Sequence, residues 1–146
     1  MILLRFLLVS ILLAGCNKEG TVPAPTAASR TELLIANNWR NTRVSTPNGQ
    51  SINKNRLSLS TQVLFDLDMQ FRSNNTVRAI DRTSKQIVNG GTWSLTTDSQ
   101  SIDVDVTGFK GNFPIVELSR TRLTLRQRAP VDGTNADINL EFDPSL

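Results

Sequence analysis

Between Asp137 and Asp143, polar and large apolar side chains alternate without a break: Asp137, Asn139, Glu141 and Asp143 stand against Ile138, Leu140 and Phe142. A β-strand sends successive side chains to opposite faces, so this segment carries one apolar and one polar face. The same period returns along the chain. Phe65, Leu67, Met69 and Phe71 alternate with Asp66, Asp68 and Gln70, and Val77 and Ala79 share one parity, as do Trp93 and Leu95. Ile102, Val104 and Val106 alternate with Asp103 and Asp105, and Leu123 and Leu125 with Arg122, Thr124 and Arg126. A short apolar run, Ile115 to Leu118, follows Pro114, and a further strand starts at Trp39. Turn residues separate these runs, among them Ser73-Asn74-Asn75, Asn89-Gly90-Gly91 and Asp132-Gly133. One-faced strands on short turns must wrap their apolar faces around each other. The pattern therefore predicts an all-β, antiparallel up-and-down barrel or half-open barrel of about eight strands.

The one helical signal precedes the strands. Ser29-Arg30-Thr31-Glu32 fits the S-x-x-E capping box, Leu33-Leu34-Ile35 follows, and Asn37 and Asn38 suit a helix end. A short helix from about Arg30 to Asn37 is expected. Register can also be read. If Arg128 faces Asp137, antiparallel pairing sets Arg126 opposite Asn139 and Arg122 opposite Asp143 on the polar face. It also sets Leu125 opposite Leu140 and Leu123 opposite Phe142 on the apolar face, and a slip of one residue would spoil both faces. Arg120, Arg122, Arg126 and Arg128 share a parity and could instead form a site for an envelope polyanion. The acids of the next strand lie in the parity that meets them, so cross-strand pairing is the expectation.

The domain needs a core large enough to hold itself together, because the chain of 146 residues contains one Cys and no intrachain disulfide is available. That Cys is Cys16. Arg5, the apolar stretch Phe6 to Leu13 and the small pair Ala14-Gly15 precede it, in the order of a secretory leader too short to span a bilayer. Leu13-Ala14-Gly15-Cys16 resembles the lipobox of bacterial lipoproteins. The resemblance implies cleavage before Cys16, a diacylglycerol on its thiol and an acylated new amino terminus, and two or more acyl chains anchor stably where one does not. By the sorting rule of many Gram-negative lipoproteins, Asn17 in place of Asp implies the outer membrane, with the domain periplasmic or surface-facing. Residues 17–28 are rich in Pro, Ala, Gly and polar residues and read as a tether, reaching at most about 40 Å. The expected organisation is a leader over 1–15, lipidated Cys16 and tether over 16–28, and one monomeric barrel domain over 29–146.

Catalysis fails on inventory. The sequence has no His and no Tyr, which removes the imidazole base, the Ser-His pair and His-ligated zinc, and argues against tight haem ligation. Asp66 with Asp68, and Asp103 with Asp105, each place two carboxylates on one strand face about 6.6 Å apart, a spacing compatible with glycoside hydrolysis. Acids opposite an apolar face are the ordinary solvated side of a sheet, and that reading is adopted. Asp132-Gly133-Thr134-Asn135-Ala136-Asp137 offers oxygen ligands but lacks the spacing and closing Glu of a calcium loop, so it reads as a turn. No catalytic residue, metal or cofactor is expected. The net charge of +3 is not gathered into a block, so no nucleic-acid partner is expected.

A terminal helix followed by Asn38-Trp39 at the start of the first strand resembles the G-x-W opening of lipocalins, with Asn37 at the glycine position. Gly91-Thr92-Trp93-Ser94-Leu95, within "MQFRSNNTVRAI…GGTWSLTTDSQSIDVDV…IVELSRTRLTLRQR", is similar to the pattern of small lipocalin-like domains of bacterial lipoproteins. The resemblance implies an eight-stranded barrel and leaves two functions open. One is a binder of a small apolar ligand, its pocket lined by Trp39, Phe65, Leu67, Met69, Phe71 and Trp93. The other is a filled barrel that serves as an interaction or structural module of the envelope, since an eight-stranded barrel can be packed solid or hold one small ligand. For the anchor, Cys16→Ser is expected to leave the leader uncleaved or the chain unacylated and to shift the protein out of the membrane fraction. Normal membrane partition of that variant with the leader removed rules the anchor out.

Overall fold

A computed structural model describes residues 27–145. The leader, Cys16 and the tether as far as Thr26 lie outside the described residues. The described residues open with helix α1 (Ala27–Ile35), which begins ahead of the expected Arg30, so Ser29 and Glu32 sit inside the helix and not at its edge. It also ends before Asn37, where the Leu34 carbonyl accepts a 2.9 Å bond from the Trp39 indole N–H. That bond ties the helix end to the first residues of the sheet.

Eight strands follow: β1 (Asn38–Ser45), β2 (Leu67–Phe71), β3 (Thr76–Asp81), β4 (Ile87–Leu95), β5 (Ser101–Val106), β6 (Phe109–Leu118), β7 (Leu123–Val131) and β8 (Thr134–Ser145). Each pairs antiparallel with its sequence neighbour, and β8 returns to β1, closing the barrel in simple up-and-down order. The expected β7–β8 register is the one found. Leu123 lies opposite Phe142, Leu125 opposite Leu140, Arg126 opposite Asn139 and Arg128 opposite Asp137. The turn between them is a two-residue one with positive φ at both Asp132 (51°) and Gly133 (78°), the backbone that suits tight hairpins and favours Asp-Gly.

Two segments depart from the sequence pattern. Phe65 and Asp66 were expected on β2 but belong to a 3-10 turn over Val63–Asp66. The Leu67 N–H closes that turn on the Leu64 carbonyl, and Arg82 holds it against β3, its N–H donating to the Asp66 carbonyl (3.0 Å) and its guanidinium to that of Phe65 (2.5 Å). Asp66 and Asp68 therefore do not share a strand face. β6, in turn, begins at Phe109, well ahead of the Ile115 run. Its inward positions are Phe109, Gly111 and Phe113, opposite Val106, Val104 and Ile102. The glycine interrupts the apolar alternation that would have marked the strand.

The two ends of the barrel are closed differently. α1 covers one: the Asn37 side chain donates to the Arg120 carbonyl in the β6–β7 turn (3.1 Å), and Leu34 is fully buried. The β1–β2 connection covers the other, carrying Ile52, Leu57 and Leu64 into the core. Within it lies the short helix α2 (Leu59–Gln62). β1 pairs with β2 only from Asn38 to Arg40, so the wall past that point is completed by this connection. β1 there carries a bulge between Asn41 and Arg43, and the buried Asn41 amide donates to the carbonyls of Arg43 and Glu141. Since every described strand contributes to one core, the segment from Ala27 onward holds all the packing it needs to fold.

Strands β4 and β5 approach closely at Gly91. A Cβ built there would lie 1.9 Å from the Asp105 carbonyl oxygen, and a backbone contact cannot yield as a flexible side chain would. Gly91→Ala is expected to lower unfolding stability by about 1–3 kcal/mol through overpacking, measured by denaturant melts. An unchanged midpoint contradicts the close approach.

Candidate functional site

Of the six candidate lining residues, the structure gathers two. Leu67 and Met69 line a recess of about 140 Å³ at the α2 end, with Leu64 and Val63 of the lid, Ala79, Val106 and Phe109. Ser60, Asn89, Thr107 and Gly108 form its rim. The wall is apolar because β2, β3, β5 and β6 all turn their inward parity toward it. Asn89 gives the rim its main polar group, its amide donating 2.8 Å to the Thr107 carbonyl and so linking β4 to the β5–β6 turn.

Trp39, Phe71 and Trp93 do not line the recess. They are core: Trp39 is 0% exposed, and Phe71 and Trp93 meet edge-to-face with ring centroids 5.4 Å apart. The Trp93 indole N–H donates to the Arg72 carbonyl (3.1 Å), so both indoles are satisfied by backbone and bind the barrel to its own chain. Phe65 sits in the 3-10 turn with the Lys54 ammonium 5.2 Å from its ring centroid. Parity alone could not separate these roles, because a strand's inward face runs the length of the barrel while an opening occupies only one end.

The lid is tied at its flanks and loose in its middle. On one side Arg56 pairs with Asp132 at 2.7 Å, and Leu57 bridges to Val131. On the other, Arg82 holds the carbonyls of Phe65 and Asp66, while Lys54 reaches the Asp66 carboxylate at 3.4 Å. Between them, the hydrogen bonds of α2 itself stay within residues 57–63, and the Ser58 N–H just ahead of it donates to the Pro130 carbonyl (3.3 Å). Leu59 is 83% exposed and Val63 47% exposed beside the recess. Below the lid, the Asp81 carboxyl is held under its ordinary value by hydrogen bonds from Ser84 and Thr83, which fixes the β3–β4 turn.

The remaining carboxylates and arginines singled out from sequence are engaged with each other. Glu141 is buried on the outer face of β8, where Ser45 donates to it (2.5 Å) and Arg43 and Arg122 lie at 3.2 and 3.5 Å. Arg122 also reaches Asp143 at 3.6 Å, Arg128 reaches Asp137 at 3.4 Å, and Arg126 donates to Asn139. Arg120 falls in the β6–β7 turn and Arg122 just ahead of β7, so only Arg126 and Arg128 lie on the strand itself. Asp68 binds Arg40 and Ser145, Asp105 binds Lys110, and Asp103 accepts from Asn112. Among the described residues no cluster of three or more acids, Cys or His stands ready for a metal.

No family model matches the sequence, and no curated protein matches it. Among solved structures, the barrel is similar to that of a lipocalin-like protein from Bacteroides uniformis ATCC 8492. The TM-score is 0.50 at 15% identity, over 76% of this chain and 98% of that one. The fold is lipocalin-like. In this lipocalin-like barrel the packed end lies under α1, and the recess lies under α2.

Leu140 is fully buried in the barrel centre, whereas Leu67 borders the recess. Leu140→Ala should cost about 2–5 kcal/mol by leaving a void. Leu67→Ala should fall near or below the bottom of that range, because part of its surface already lacks packing partners. Equal losses in parallel denaturant melts would mean that the recess is effectively filled.

Proposed function

We propose that this protein is a lipid-anchored protein of the bacterial envelope whose barrel binds one small apolar group, the end of an acyl chain or a single ring, beneath α2. The observation that carries the reading is the apolar recess at the lidded end. Its volume of about 140 Å³ is below the roughly 300–1,000 Å³ of pockets that enclose a whole drug-sized ligand. It therefore suits part of a molecule, with the remainder emerging past the Asn89 and Thr107 rim. Half-exposed Val63 lines the recess where a ligand leaving it would cover the side chain, and outward movement of α2 would enlarge the space. Acylation at Cys16, an outer-membrane address, a monomeric state and the absence of enzymatic activity belong to this proposal. They rest on the Leu13-Ala14-Gly15-Cys16 motif, on Asn17 and on the residue inventory.

A second reading is the filled barrel acting as an interaction module. It is favoured by the packing of Trp39, Phe71 and Trp93, which consumes most of the large aromatic surface in the core. Thermal melts of residues 27–146 with medium-chain fatty acids, isoprenoid alcohols and single-ring aromatics separate the two. A ligand at a hundred times its Kd is expected to stabilise the barrel by about 2.7 kcal/mol. Ala79→Met, which fills the recess, should remove that response without unfolding the protein. If no compound shifts the melt, the filled module stands.

A further inference from the structure

Half of the Lys and Arg side chains among the described residues have a carboxylate partner. Among the described residues Arg40, Arg43, Lys54, Arg56, Lys110, Arg122 and Arg128 each form an ion pair. Arg72 and Arg78 form none, and neither side chain makes a hydrogen bond with any described residue, although both are half-buried. They are also neighbours. Arg78 lies opposite Gln70 in the β2–β3 ladder, which continues beyond β2 through a 2.9 Å bond from the Arg72 N–H to the Thr76 carbonyl. That places Arg72 diagonally across from Arg78 on the same outer face, with about 7–8 Å between their Cα atoms.

The surroundings leave this pair both open and uncompensated. On the β4 side Arg78 faces Gly90, which has no side chain, and a groove of about 440 Å³ runs between Arg72, Asn74, Thr76, Arg78, Ile87 and Gly90. The acids in register beside them are engaged elsewhere: Asp68, two positions along β2 from Gln70, with Arg40 at 3.2 Å and Ser145 at 2.7 Å, and Asp105, across β4 from Thr76, with Lys110 at 2.9 Å. Two half-buried guanidiniums at this separation repel each other, and an anion between them turns repulsion into two charge-assisted, fork-shaped contacts. At one end of the groove Ile87 is 54% exposed, an apolar surface beside the charged one.

We propose that this groove is a binding site for a phosphate group, bridged by Arg72 and Arg78, on a ligand whose apolar part lies against Ile87. A phospholipid headgroup and a soluble phosphate ester share this chemistry. The site lies on the outer wall, apart from the recess under α2, and stands whether or not that recess takes a ligand.

The test uses isotope-labelled residues 27–146, titrated with inorganic phosphate and, separately, with monomeric dihexanoylphosphatidylglycerol. Saturable shifts are expected at the Nε–H signals of Arg72 and Arg78 and at the amides of Thr76 and Gly90. Affinity should weaken by about tenfold or more in the Arg72→Gln, Arg78→Gln double variant. Its melting temperature should hold, since no protein partner is lost. Arg72→Lys and Arg78→Lys, which keep charge but lose the fork, should each weaken binding less, and Arg120→Gln should not matter. Response to the lipid alone identifies a headgroup site; response to inorganic phosphate identifies a general phosphate site. Both support the proposal. No shift with either probe, shifts reproduced by sodium chloride at matched ionic strength, or undiminished affinity in the double variant overturns it.

Discussion

Closure at β8 is the constraint from which the rest of the barrel follows. Its twelve residues pair with β7 along one side and β1 along the other, so no edge is left there to be capped. Closure demands that one parity of β8 suit two neighbours at once. Inside, Leu140 meets Leu125 on one side and Val44 on the other. Outside, Glu141 is shared between Arg43 of β1 and Arg122 beside β7. The outer contacts are partly exposed and individually weak; the inner ones exclude water and supply the stability. Together they make a one-residue slip unfavourable on both faces.

The difference between the two ends follows from strand length. β2 has only five residues and pairs with three of β1, so the barrel wall runs out on that side before β1 does. The chain between them must finish the wall, and it does so with Ile52, Leu57 and Leu64 turned inward. An irregular segment packs less uniformly than a strand, and the one apolar recess under a described helix lies beneath it. At the other end α1 packs over two indoles, each hydrogen-bonded to a backbone carbonyl, and the aromatic side chains fill the interior. The apolar recess therefore belongs to the α2 end, and the packed indoles to the α1 end.

Charge placement shows the limit of reading one strand at a time. Arg122, Arg126 and Arg128 stand out because they crowd one segment, yet the next strand answers each of them. Arg72 and Arg78 look unremarkable in the sequence, six residues apart across an Asn-rich turn. Their lack of partners depends on what lies beside them in three dimensions: Gln70 on one side, the bare backbone of Gly90 on the other, and Asp68 already bound to Arg40. Density of like charge along a chain is a poor guide to uncompensated charge on a surface.

Alternation of apolar and polar residues determined the fold class, six of the strands and the β7–β8 register, because each of these depends on a period of two that a single segment displays. Asp132-Gly133 determined its own turn for an equally local reason, the positive φ that those residues tolerate. The beginning of β6 was hidden by Gly111, and the beginning of β2 by the 3-10 turn over Val63–Asp66 that Arg82 holds, because a glycine carries no hydropathy signal and a tertiary hydrogen bond leaves no trace in sequence. Which inward residues are core and which border a recess was likewise decided only by the tertiary structure. Leu67 and Phe71 share one face of β2 and an apolar character in the sequence; their depth along the barrel, set by closure and by the chain that covers each end, gives them different roles.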